Sequence, residues 1–91
     1  MEYYVYILES VKSGKYYIGQ TENLEERVAK HNAGRNLSTR HDIPWQLKWW
    51  KEYETRSEAI KVEIRIKEIK KRKGIEKYIE KNKFRGIAQS G

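Results

Sequence analysis

Tyr3-Tyr4-Val5-Tyr6-Ile7-Leu8-Glu9 and Tyr16-Tyr17-Ile18-Gly19-Gln20, with the turn-forming residues Ser10–Gly14 between them, decide the fold. Both segments are β-branched and aromatic, the composition of strands. Ser13-Gly14 is the clearest turn signal. Strands this close, joined by a short turn, predict an antiparallel hairpin. Side chains alternate across a strand, so Tyr4, Tyr6 and Leu8 share one face of the first and Tyr17 and Gly19 one face of the second. A register opposing Tyr6 to Tyr17 brings all five to one side.

Working outward, Thr21 or Asn23 can cap a helix whose first turn carries Glu22, Glu25 and Glu26, where the macrodipole favours acids. Gly34 is a natural stop. Leu24, Arg27, Val28 and His31 follow the i, i+3, i+4, i+7 spacing of one helix stripe. Arg35 to Pro44 reads as a loop, and aromatic Trp45 to Tyr53 as a third strand. Thr55 with Glu58 forms a capping box. The helix it opens is predicted to run to about Lys73 and to end at Gly74, with Ala59, Val62, Ile66 and Ile69 as its apolar stripe and Glu63 on the stripe's edge. A short last helix from Ile75 to about Glu80 packs through Ile75, Tyr78 and Ile79. The fold class is α+β, an at least partly antiparallel three-stranded sheet with helices against it, in strand order left open. Residues 1–83 form one domain, and 84–91 read as a loosely ordered tail.

With 91 residues, the chain is near the lower end of sizes that fold without staples. It has no cysteine, which rules out disulfides and thiolate metal sites. The start has no basic n-region, and its apolar run from Tyr3 to Leu8 is too short for a signal core or a membrane span, so the expectation is a cytoplasmic protein with no membrane partner. Lys and Arg total 20 against 13 acids, a net charge of +7, which predisposes a small domain toward polyanions. Arg40 in the loop and Lys67, Lys70, Lys71, Arg72 and Lys73 on the basic helix are the candidate nucleic-acid contacts. A solvated helix surface accounts for the same charges.

Polar groups also stand where apolar ones belong. Burying a charge is costly unless it is paired or binds a metal. Arg27 on an inward stripe reads either as a partly buried partner of Glu63 or as a functional cation. His31 reads as a satisfied structural histidine or a site residue, and Tyr6 and Tyr17 as sheet aromatics or reactive phenols. Together they are the groups that phosphodiester cleavage needs. Arginine forks onto phosphate oxygens, a carboxylate holds a hard divalent cation, and a phenol near a cation can accept a proton.

Tyr4-Val5-Tyr6 followed by Tyr17-Ile18-Gly19 resembles the paired motif of the GIY-YIG nuclease superfamily. Thr21, Arg27, His31, Gly34, Thr39, Pro44-Trp45, Glu58-Ala59 and Glu63 extend the likeness across residues 3 to 80, closest to small stand-alone bacterial members. The resemblance implies a three-stranded antiparallel sheet flanked by helices and divalent-metal-dependent cutting of phosphodiester bonds. It implies Glu63 as the metal ligand, for Mg2+ or Mn2+, Tyr6 as the residue that activates water, and Tyr17 as a positioner of water or phosphate. It implies Arg27 as the contact to the scissile phosphate, His31 as an assisting residue, and Gly19 as the motif glycine that permits close approach. The chain departs from the pattern at Tyr4 and Val5, where the motif has Gly and Ile, and neither change removes a reactive group. Val62 is apolar where similar sequences often have a basic residue, and Asn82 is the only asparagine after Glu63 that could match a late family asparagine.

The reading is a metal-dependent DNA endonuclease, structure-specific or engaged in DNA repair or recombination, acting as a monomer or weak homodimer, with RNA open as a substrate. The alternatives are a nucleic-acid-binding module that does not cut, and a protein-interaction domain.

Overall fold

The computed structural model describes residues 2–83, and the expected tail over 84–91 lies outside the described residues. β1 (Tyr3–Ser10) and β2 (Tyr16–Thr21) form the hairpin, and β3 (Trp45–Tyr53) pairs with the other edge of β1. The sheet is antiparallel throughout, in the order β2-β1-β3. The register is offset by two residues from the expected one: Tyr6 faces Gly19, and Tyr17 faces Leu8. Because the side-chain period is two, this offset leaves all the expected residues on the same face. The turn is held by Ser10, whose hydroxyl accepts from the Lys12 and Ser13 N–H groups and donates to the Asp42 carbonyl at 2.6 Å.

Between Ile7 and Leu8 the β1–β3 register slips, and the Lys48 backbone has no register partner on β1, although its ammonium pairs with Glu9 at 3.6 Å. This bulge has a packing consequence. Trp45 and Trp49 would share a face under strict alternation, but the extra residue sends them to opposite sides. Trp49 joins Val5, Ile7 and Ile18 in one core, and Trp45 joins Tyr6 and Leu8 in the other.

Each core is closed by helices. α1 (Leu24–Asn32) covers the Tyr6 side with Leu24 and Val28. Asn23, rather than Thr21, caps it, accepting from the Glu26 N–H at 3.1 Å. Gly34, at φ +79°, ends the turn that follows the helix. A single 3-10 turn, Arg40–Asp42, interrupts the expected loop. α2 (Arg56–Lys67) opens on the predicted capping box and covers the Val5 side with Ala59 and Ile66, supported by α3 (Arg72–Lys81) through Ile75.

The helix boundaries here correct the expectation. α2 stops at Lys67, not near Lys73, because the chain turns at Lys70, a non-glycine residue at φ +64°. Gly74 lies inside α3 instead of ending a helix. A Cβ on it would stand 2.4 Å from Ile69 Cγ2, so the glycine lets α3 fold closely back on the linker. Among the described residues no helix is long and apolar enough to cross a membrane.

Candidate active site

β2 is an outer strand, with α1 on one face of the sheet and α2 on the other, and the candidate residues gather around it. Tyr6 is 1% exposed, and its hydroxyl lies 3.0 Å from His31 Nε2. His31, also buried, has Nδ1 2.9 Å from the Thr39 hydroxyl, which reaches the Asn36 carbonyl at a long 3.5 Å. With Thr39 donating to that carbonyl, the consistent proton order is Tyr6 Oη–H to Nε2 and Nδ1–H to Thr39. Tyr17 sets its ring edge-on to His31, with centroids 4.8 Å apart.

Gly19 makes this arrangement sterically possible. A Cβ there would stand 2.5 Å from Tyr6 Oη and 2.7 Å from Cζ, so the phenol fills the space a side chain would take. Glycine is required by the neighbouring ring rather than by a left-handed backbone.

The electrostatics follow from burial. Burial pushes the Tyr6 phenol well above its usual value, with Tyr17 and the Glu63 charge adding to the rise and the Arg27 guanidinium opposing it. Burial also holds the His31 imidazole below its usual value, and Arg27 lowers it further. Tyr6 is therefore a protonated donor and His31 a neutral acceptor at pH 7.

Arg27 sits between two shallow concavities. One, of about 380 Å³, follows the β2 edge past Gln20, Thr21 and Arg56; the other, of about 330 Å³, carries Lys30, Arg35, Asn36 and Leu37. Of the two readings of Arg27, the structural pairing with Glu63 is not the one formed, and Glu63 has other partners. Glu63 takes Lys67 Nζ on Oε2 at 2.8 Å and Gln20 Nε2 on Oε1 at 3.3 Å.

No group of three or more His, Cys, Asp or Glu side chains among the described residues could hold a metal. The available donor set is the Glu63 carboxylate beside Gln20, whose Oε1 is buried with no hydrogen-bond partner. One carboxylate with neighbouring oxygens suits a hard ion that keeps waters and takes substrate phosphate oxygens, so these residues fit Mg2+ or Mn2+.

Tyr6, Tyr17, Gly19, Arg27, His31 and Glu63 thus come together around one strand. Of the basic candidates, Lys67 joins them through Glu63, and the others do not. Lys70 and Arg72 line a hollow with the hairpin residues Ser13–Tyr16, about 10 Å farther along β2 at strand rise, with Lys71 between them in sequence and Lys73 next after them. Arg72 is engaged there with Glu9 at 2.7 Å, Glu76 at 3.3 Å and the Gly14 carbonyl, and it stacks on Tyr16. Arg40 is exposed in the 3-10 turn. Sequence reasoning missed Gln20, Lys30 and Arg35. Gln20 was open to inference: alternation from Gly19 turns it to the α2 face, where Glu63 lies.

The sequence matches the GIY-YIG catalytic domain over residues 2–83. A UPF0213 protein of Bacillus licheniformis is 35% identical over 86 residues, covering 93% of this chain and 87% of that protein. A UPF0213 protein of Halobacterium salinarum is 38% identical over 68 residues, covering 74% and 87% respectively. The solution NMR structure of a UPF0213 protein from Bacillus halodurans superposes with a TM-score of 0.59 at 32% identity, covering 90% of this chain and 86% of that one.

Proposed function

The chain belongs to the GIY-YIG nuclease family, and on that premise we propose that it is a divalent-metal-dependent endonuclease that hydrolyses phosphodiester bonds in DNA. The observation that carries this reading is the hydrogen-bonded line Tyr6–His31–Thr39, set beside Arg27 at an outer strand, with Glu63 on the strand's other side but near enough for its charge to act on the Tyr6 phenol. A packing role alone does not call for a buried phenol, a neutral imidazole and two opposite charges in one place.

The cation, when bound, supplies Lewis acidity and positive charge at the phosphate, and Glu63 is the residue that would hold it. Arg27 binds a non-bridging phosphate oxygen and offsets the charge that develops there. The attacking water gives its proton to Tyr6 Oη while the phenol's own proton passes to His31 Nε2. Burial opposes a free phenolate, and this relay avoids forming one. The new P–O bond leaves a 5′-phosphate. The P–O3′ bond breaks, and the 3′-oxygen takes a proton from solvent. Tyr17 holds the His31 ring in place.

The test is a panel of single-stranded, duplex, flap and junction DNA, each with Mg2+ or Mn2+ at low salt, for wild type, Arg27→Ala and Glu63→Gln. Cleavage by wild type and none by Glu63→Gln is expected. Intact substrate throughout the panel would reject the reading.

A further inference from the structure

The Gln20 carboxamide is the feature that the site's other interactions leave unexplained. It projects from β2 toward α2 and donates to Glu63 Oε1 at 3.3 Å, while its own oxygen is buried and makes no hydrogen bond. We infer that Gln20 is a second protein ligand of the divalent cation, its Oε1 joining the Glu63 carboxylate around one ion once the amide has turned over. This rests on the nuclease reading of the same site.

Three observations carry it. First, the orientation of the amide is dictated by its neighbour. Facing a bare carboxylate, a carboxamide must present its N–H, because two oxygens at 3.3 Å repel. A cation on Glu63 reverses that preference. In the turn Oε1 has no partner to lose, and the long bond to Glu63 is exchanged for a bond to the ion.

Second, the spacing fits. Oxygens at adjacent corners of an octahedron around Mg2+, each ~2.0–2.1 Å from the ion, lie ~2.9–3.0 Å apart. The Gln20 terminal atom and Glu63 Oε1 are 3.3 Å apart, so a few tenths of an ångström separate the present arrangement from a shared ion.

Third, Glu63 already holds a positive charge. Its other oxygen pairs with Lys67 Nζ, on a side chain 54% exposed that can swing into solvent when a divalent ion competes for the carboxylate.

The rival role for Gln20 is that of a donor that merely positions Glu63, and the two predict opposite signs for Gln20→Glu. A carboxylate cannot donate, so a positioning role makes this variant a weaker metal binder. As an added oxygen ligand with charge, it binds more tightly. The experiment measures Mn2+ binding to the full chain without DNA, from the free-Mn2+ electron paramagnetic resonance signal, for wild type, Gln20→Glu, Gln20→Met and Glu63→Gln.

The expected result is tightening of about fivefold or more in Gln20→Glu and weakening of similar size in Gln20→Met. Unchanged or weaker binding in Gln20→Glu overturns the inference while leaving the nuclease reading intact, provided Glu63→Gln abolishes binding. No binding by wild type overturns both. If Gln20→Glu does not fold, the wild-type Gln20 side-chain amide pair in a 1H–15N spectrum decides. A shift that saturates with Mg2+ supports ligation, and an unmoved pair refutes it.

Discussion

Replacing Gly19 with alanine would put a methyl group into space that the Tyr6 phenol occupies. The added Cβ stands 2.7 Å from Tyr6 Cζ, whereas carbon pairs rest at ~3.5–4.0 Å, so the ring must retreat by ~0.8 Å or more. It has nowhere to go without leaving His31 Nε2, 3.0 Å from its hydroxyl, in a residue 1% exposed. Overpacking of this kind costs about 1–3 kcal/mol, and a stranded buried hydrogen-bonding group about 1–3 kcal/mol more. Alanine's backbone advantage over glycine returns about 0.5–1 kcal/mol. The net expectation is a loss of ~2–4 kcal/mol, which for a domain of this size lowers Tm by about 8–30 °C. Thermal unfolding of Gly19→Ala measures it, and the same substitution in a Tyr6→Leu background isolates the cause, because removing the phenol removes the clash. The cost should then fall by more than half. A Gly19→Ala protein as stable as wild type, or one that loses as much without the Tyr6 ring, would show that the phenol does not need the space at Gly19.

Four further outcomes are expected. The folded-state pKa of His31 lies below its unfolded value, so between the two the unfolded chain binds the extra proton. The stability from neutral His31 is therefore complete above its ordinary value of about 6.5 and is lost as pH falls below it; Tm should drop on acidification more steeply in wild type than in His31→Gln. Gly74→Ala should destabilise by ~1–2 kcal/mol despite alanine's helix propensity, because its Cβ meets Ile69 Cγ2, and Ile69→Ala should relieve the loss in thermal melts. Arg72→Ala should lower Tm yet leave the slope of log binding constant against log salt unchanged, since its guanidinium is already shared among Glu9, Glu76 and Gly14. Joint alanine substitution of Lys70, Lys71 and Lys73 should reduce that slope by up to ~0.9 per lost phosphate contact, read by fluorescence anisotropy on duplex DNA.

Much of the fold was legible because its signals are local. Alternation gave the shared face of Tyr6, Leu8, Tyr17 and Gly19, and capping chemistry gave the start of α2 at Thr55. The pairing register was not legible. An offset of two residues preserves every facing, so alternation cannot detect it; the cue was steric, since only glycine accommodates the ring that lies across from it. The end of α2 was misread for a related reason. Lys70 adopts a left-handed conformation that its residue type does not advertise, and Gly74, which looks like a stop, answers to a tertiary contact with Ile69. At the site, the helix stripes aimed Arg27 and His31 correctly. The partners of Glu63 were harder to foresee. Lys67 is its i+4 neighbour and Gln20 comes from another element, so a choice between them and Arg27 depends on three-dimensional reach.

On the reading proposed above, the groups around β2 cut a phosphodiester rather than only grip it. The most direct test of that reading is single-turnover cleavage of an end-labelled DNA junction in Mn2+, with wild type and Glu63→Gln compared at DNA saturation established by anisotropy. Both proteins should bind, and wild type alone should yield a shortened strand, the new end carrying a 5′-phosphate. Binding by both with no product from either, across Mg2+ and Mn2+, would contradict it and leave a nucleic-acid-binding module on the same fold.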